Sequence, residues 1–140
     1  MSDQLPLSDI MDEFSRAPAQ LRLPLLLEYS RRVPELPDHL SSNPELLEQV
    51  HECQTPFFVR AEPGEGDAVI LYFQAPEDAP TTRGFAGVLA SGLGGQSRAA
   101  ILATPDDFHE RMGLAELISP LRLRGMSAIL ARIKRQVAKL

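Results

Sequence analysis

The sequence predicts an α+β domain in which a small antiparallel sheet carries helices packed on one side. Three features predict it: a β-hairpin pattern in mid-chain, helix-period apolar residues ahead of it, and a long amphipathic segment at the end. In the hairpin, β-branched and aromatic residues dominate Phe57 to Ala61 and Ala68 to Phe73, and Pro63, Gly64, Glu65 and Gly66 between them supply a turn. Val69, Leu71 and Phe73 face one side of the second run and Ile70 and Tyr72 the other, so both sheet faces are expected to be at least partly covered. With 140 residues, 44% of them hydrophobic, the chain is the size of one domain with one contiguous core, and residues 1–140 are read as a single unit.

Ahead of the hairpin, Leu7, Ile10, Met11 and Phe14 recur at the spacing that lines one face of a helix. A second helix follows, with Ser15 as its expected cap before Pro18 and Leu21, Leu25, Leu26, Tyr29 and Val33 as its buried stripe. Pro24 lies within that stripe and lacks an amide hydrogen, so it is expected to kink the helix or mark a restart. Pro34 to Pro44, rich in proline and polar residues, reads as a connecting loop. Beyond the hairpin, Asp78 is the expected N-cap of a helix with Pro80 in its first turn, Phe85, Val88 and Leu89 on its apolar face and Gly94 and Gly95 at its end. Ala99 to Ala103 fits a third strand or a helical turn equally well. Thr104 to Met112 reads as a short capped helix with Asp106 and Asp107 in its first turn. In the last segment Met126, Ile129, Leu130, Ile133, Val137 and Leu140 repeat at helical spacing, with Arg132, Lys134, Arg135 and Lys139 opposite as a solvated basic face. Ser119 and Pro120 form its cap and first-turn pair, which puts Arg122 and Arg124 at or just before the start.

Charge and composition narrow the function. A formal charge of -5 with no basic stripe argues against nucleic acid as a partner. The opening MSDQLPLSD lacks the basic start and apolar core of a secretory signal, and no apolar run approaches bilayer length, so a cytoplasmic protein without membrane contact is expected. The single cysteine, Cys53, excludes an internal disulfide and a multi-thiolate metal or cluster site. His39, His51 and His109 fall at no helical ligand spacing, so neither a metal nor any other cofactor is expected. Gly92-Leu93-Gly94-Gly95 lacks the lysine and hydroxyl residue of a phosphate-binding loop and reads as helix termination.

Cys53 is then either a small buried hydrophobe or a reactive thiol. Its neighbours Glu52, Gln54 and Thr55 are polar, which suits a partly exposed thiol on a loop between the proline-rich stretch and the first hairpin strand. His51 would share the face of Cys53 if the backbone were extended, and an imidazolium there would favour the thiolate, whereas Glu52 close by would oppose it.

The stretch Val50-His51-Glu52-Cys53-Gln54-Thr55-Pro56-Phe57-Phe58 resembles the cysteine loop and following strand of the SufE family. Other segments agree in order: Arg31 to Pro37 resembles the family's "R-L-P-E-L" stretch, and Glu77-Asp78-Ala79 before Arg83-Gly84-Phe85 its "D-S-D-A…K-G-L" helix entry. Met112-Gly113-Leu114 with Leu117 to Arg122 and Gly125-Met126 resembles its "L-T-P-S-R-x-x-G-L" signature. The resemblance spans nearly the whole chain and implies a SufE/IscU-like fold. It further implies that Cys53 is the carrier of a persulfide sulfur received from a SufS-like, pyridoxal-phosphate-dependent cysteine desulfurase, stimulating that enzyme and passing sulfur to a SufBCD-like or other cluster scaffold. By the same resemblance Arg122 lies beside the cysteine loop, where a cation would stabilise a thiolate or persulfide, and Asp78 matches an acidic position near that loop. The chain departs from the common form in carrying Glu52 where glycine precedes the cysteine, Thr55 for serine and Arg83 for lysine.

A carrier of this kind is expected to be a monomer or weak homodimer and to shield Cys53 until it swings out at the partner. It acts with the desulfurase and not as an independent hydrolase or oxidoreductase. Three alternatives compete with it. A thiol hydrolase pairing Cys53 with His51 or His109 lacks a recognisable accompanying arrangement, and a cluster scaffold of the IscU type needs more thiolates than one cysteine gives. The third is an interaction domain that docks an acidic partner through the basic last helix, with Cys53 structural.

Overall fold

The computed structural model describes residues 6–140. Helix α1 (Leu7–Arg16) buries Leu7, Ile10, Met11 and Phe14, the four residues whose spacing predicts it. Helix α2 (Ala19–Ser30) starts after Pro18 without a side-chain cap. Ser15 is still part of α1, and its hydroxyl donates back to the Asp12 carbonyl at 3.1 Å, so it does not cap α2 as expected. Nor does Pro24 mark a restart, since α2 runs through it. The predicted stripe of α2 is also too wide: Leu26 and Tyr29 are buried, but Leu21 is 52% exposed and Val33 lies past the helix end.

The sheet has three antiparallel strands in the order β1-β2-β3: β1 (Glu48–Gln49), β2 (Phe58–Pro63) and β3 (Val69–Gln74). Strands β2 and β3 form the predicted hairpin, in register from Phe58 opposite Gln74 to Pro63 opposite Val69. Strand β1 pairs Glu48 with Val59 and is too short and polar to leave a sequence signal. Val59, Ala61, Val69, Leu71 and Phe73 point into the core, against the two helices that pack on this face, Pro80–Leu93 and Pro120–Ala138. The opposite face is more open, with Ile70 40% exposed, and is covered only in part: the His39 ring meets Tyr72 edge-on at 6.1 Å and hydrogen-bonds the Glu62 carboxylate. His39 belongs to α3 (Asp38–Ser41), a single turn that buries Leu40, so the proline-rich stretch is not wholly a loop as predicted.

Helix α4 (Pro80–Leu93) ends at Gly94, and Gly95, at φ +81°, turns the chain so that its amide donates to the Val69 carbonyl. Its N-cap is Ala79 and not Asp78, because the helix begins one residue later than predicted, at Pro80. Helices α2 and α4 pack backbone to backbone at Gly87, where an added Cβ would sit 1.7 Å from the Tyr29 carbonyl oxygen. Residues Arg98–Leu102 form α5, capped by Ser97, whose Oγ accepts from the Ala100 amide; the short apolar run is therefore helical. The helix predicted from Thr104 shrinks to a 3-10 turn at Phe108–Met112, because the Thr104 hydroxyl is committed to the Ala100 carbonyl and caps nothing.

Helix α6 (Pro120–Ala138) has the predicted cap, with Ser119 Oγ accepting from the Arg122 amide, and buries Met126, Ile129, Leu130, Ile133 and Val137. Arg122 and Arg124 thus lie inside its first turns. Gln136 straps α6 to the sheet: its Oε1 accepts from the Ala61 amide at 2.7 Å and its Nε2 donates to the Val59 carbonyl and to Glu48. The side-chain amide thereby pairs the edge of β2 that the two-residue β1 is too short to reach.

Candidate functional site

Cys53 sits at the tip of the connection between β1 and β2. The base of this loop is fixed: the Val50 amide donates to the Phe57 carbonyl at 2.8 Å, and both side chains are fully buried. Within the tip the chain bends sharply, with the Cys53 amide donating to the Val50 carbonyl. The half-buried thiol rests on Gly125 of α6, where an added Cβ would stand 3.3 Å from Sγ. Gly125 is thus the residue that makes room for the sulfur. A glycine inside a helix costs about 1 kcal/mol relative to alanine, and this is the one local hint that the position serves something besides the helix.

Beside the thiol lies a cavity of about 250 Å³, walled by Glu52 to Thr55 of the tip, by Asp78 and the first turn of α4 with Phe85, and by Arg122 and Gly125 of α6. Cys53, Arg122 and Asp78, far apart in sequence, therefore meet at one cavity. Arg122 is exposed, and its guanidinium forms no ion pair among the described residues. Thr55 Oγ1, in the same wall, is buried without a hydrogen-bond partner.

His51 does not join them. The backbone turns at His51 and Glu52 instead of running extended, so the condition under which the imidazole would share the thiol's face is not met, and His51 is exposed outside the cavity wall. His109 is elsewhere too, with Nδ1 3.2 Å from Ser127 Oγ and burial holding the imidazole below its ordinary pKa. No histidine is thus brought to Cys53 as the hydrolase alternative would require. The described residues contain no group of three or more His, Cys, Asp or Glu that could hold a metal, and no helix long and apolar enough to cross a membrane.

The surroundings of the thiol oppose its ionisation. Burial, helped by the Glu52 carboxylate, pushes Cys53 up to about 11, and Arg132 offsets only part of this. At neutral pH the resting group is therefore a protonated, weakly nucleophilic thiol.

Arg132, on α6, is the hub of the surrounding charges. Its Nη1 donates to Glu48 Oε2 and to the Gln49 carbonyl, both at 3.0 Å, and its Nη2 donates to Glu52 Oε1 at 2.8 Å. Burial would raise the Glu48 carboxyl, but hydrogen bonds from Gln136 and Arg132 and the charges of Arg135 and Arg132 together hold it below the usual carboxylate range. Glu52 is held low by a backbone hydrogen bond and by Arg132. Arg135 also pairs with Glu48, and Lys134 with Asp106 at 2.8 Å. The basic face expected to lie in solvent is in large part already engaged by the chain's own carboxylates, which leaves the acidic-partner alternative without an observation in its favour.

A family model described as "SufE: Fe-S metabolism associated domain" matches residues 8–137. The chain belongs to the SufE family. Two uncharacterised SufE-like proteins of Mycobacterium tuberculosis, from strains CDC 1551 / Oshkosh and ATCC 25618 / H37Rv, are each 51% identical over 132 residues, covering 94% of this chain and 91% of theirs. The solution structure of a hypothetical protein from Thermus thermophilus shares the fold with a TM-score of 0.84 and 47% identity, over 95% of this chain and 93% of that one. Membership associates this SufE-family chain with iron–sulfur metabolism, and the α+β fold predicted from sequence is the fold observed.

Proposed function

We propose that this SufE-family chain accepts a persulfide sulfur on Cys53 from a pyridoxal-phosphate-dependent cysteine desulfurase, stimulates that enzyme, and passes the sulfur towards cluster assembly. The observation that carries the reading is the placement of the chain's one thiol at a loop tip beside a cavity with spare volume and a cation, Arg122, in its wall. In the transfer the Cys53 thiolate attacks the outer sulfur of the desulfurase persulfide. The sulfur–sulfur bond of the enzyme breaks, its cysteine leaves as thiolate and takes up the proton that Cys53 gave, and a new sulfur–sulfur bond forms on Cys53. No net oxidation occurs.

The cavity suits the product. A water occupies about 30 Å³ of liquid volume, so 250 Å³ accommodates one more sulfur with ease. A persulfide ionises more readily than a thiol, and Arg122 and the unpartnered Thr55 hydroxyl are the groups available to receive its charge. With no second cysteine in the chain, the bound sulfur cannot be expelled by an internal disulfide.

Mixing the protein with a cysteine desulfurase and cysteine is expected to raise the rate of alanine production. Cys53→Ser, a near-isosteric change at a half-buried site, is expected to abolish the increase while leaving the melting temperature close to that of the wild type. Full stimulation by Cys53→Ser would contradict the reading.

A further inference from the structure

The loop that carries Cys53 is joined to the body of the protein in an uneven way. Its base is locked by the Val50–Phe57 hydrogen bond and two buried side chains, but from His51 to Pro56 the tip has little hold. Among the described residues, a single hydrogen bond ties a tip side chain to the rest of the fold, the one from Arg132 Nη2 to Glu52 Oε1. The same guanidinium is anchored at its other end by Glu48 and the Gln49 carbonyl, on the strand that leads into the loop.

We propose that Arg132 is a positioning residue for Cys53: it clasps Glu52 to hold the tip closed over the cavity, and the thiol reaches the surface when that clasp opens. The assignment deepens the sulfur-acceptor reading and takes its purpose from it.

The two ends of the clasp differ in the way a latch needs. The Arg132 side chain is only 19% exposed and Glu48 27%, so that contact is shielded from water and persists. Glu52 is 50% exposed, so its contact is solvent-screened and readily broken. When Glu52 leaves, Arg132 keeps Glu48 and Gln49, and opening strands no unpaired buried charge. Adjacent to Cys53 in sequence, Glu52 cannot move far without carrying the thiol with it.

The test exploits a conflict of signs. Arg132 favours the Cys53 thiolate electrostatically, so if its only influence were its field, Arg132→Gln would slow alkylation of the thiol. The clasp predicts the reverse. Alkylation of the isolated protein by iodoacetamide at neutral pH should quicken about two- to fivefold in Arg132→Gln, the range an exposed ion pair supplies. It should quicken at least as much in Glu52→Ala, and removing Arg132 from Glu52→Ala should give no further gain. A rate that is unchanged or lower in Arg132→Gln, or gains that add in the double variant, would overturn the proposal.

Should Arg132→Gln fail to fold because Glu48 loses its partner, amide hydrogen exchange at Cys53 in Glu52→Ala decides. It quickens if the clasp holds the tip, and unchanged exchange overturns the proposal. None of these measurements uses a desulfurase. A chain that shows the latch yet acquires no sulfur would sink the sulfur-acceptor reading alone, and one that acquires sulfur with no response to Arg132→Gln would sink the latch alone.

Discussion

Iodoacetamide is expected to alkylate Cys53 of the isolated protein at least about tenfold more slowly at neutral pH than it alkylates free cysteine, with the rate rising steadily towards pH 11. The thiol's ordinary value is 9.0, against about 11 in the folded chain. Each pKa unit is a factor of ten in thiolate, so the folded protein holds about a hundredth of the reactive form. The more basic thiolate is the better nucleophile and regains roughly a factor of ten. Shielding by Gly125 and the cavity wall then slows the reaction further. Because reaction through a briefly opened tip still draws on the closed, protonated population, the profile levels off only where the closed form ionises. A midpoint near that of a free thiol, at a rate equal to free cysteine, would mean that the thiol is neither buried nor opposed by Glu52.

Gly87→Ala is expected to cost stability at or above the upper end of the roughly 1–3 kcal/mol range for overpacking, a fall in melting temperature of about 10 °C or more. The new methyl carbon would lie 1.7 Å from the Tyr29 carbonyl oxygen and 2.4 Å from its carbon, and both clashing partners are backbone. A side chain would rotate aside. A helix cannot, so relief requires α2 and α4 to part along the contact that buries Leu26 and Tyr29. Gly66→Ala gives the contrast: that site has open space and φ +59°, so only the left-handed backbone penalty of about 1–2 kcal/mol applies. Thermal melts of the two variants check the difference, and a Gly87→Ala melt within a degree or two of wild type would show that the helices tolerate separation.

The parts of the fold legible in the sequence are those whose signals are local. The apolar spacing of α1 and α6, the Ser119 cap and the turn chemistry from Pro63 to Gly66 each depend on residues a few positions apart. Where local signals compete, the sequence misleads: Ser15, Thr104 and Asp78 are all good capping types, yet Ser15 spends its hydroxyl on a carbonyl of its own helix α1, Thr104 on the Ala100 carbonyl of the preceding helix α5, and Asp78 lies one residue short of the cap. Strand β1 is invisible because two polar residues carry no periodicity and are held by β2 and Gln136.

The candidate site divides in the same way. Cys53 stands out by being alone among polar neighbours, and family resemblance points to Arg122 and Asp78. Glu48, Glu52 and Arg132 form a network across 80 residues of sequence or more, and only the fold brings them together. Read from sequence, Arg132 is one cation on a solvated face.

The most direct measurement is the intact mass of the protein after incubation with a cysteine desulfurase and cysteine. A sulfur acceptor gains one sulfur atom, located on Cys53, removed by a thiol reductant and missing from Cys53→Ser. An unchanged mass, while the desulfurase in the same tube turns over cysteine and carries its own persulfide, would contradict that role.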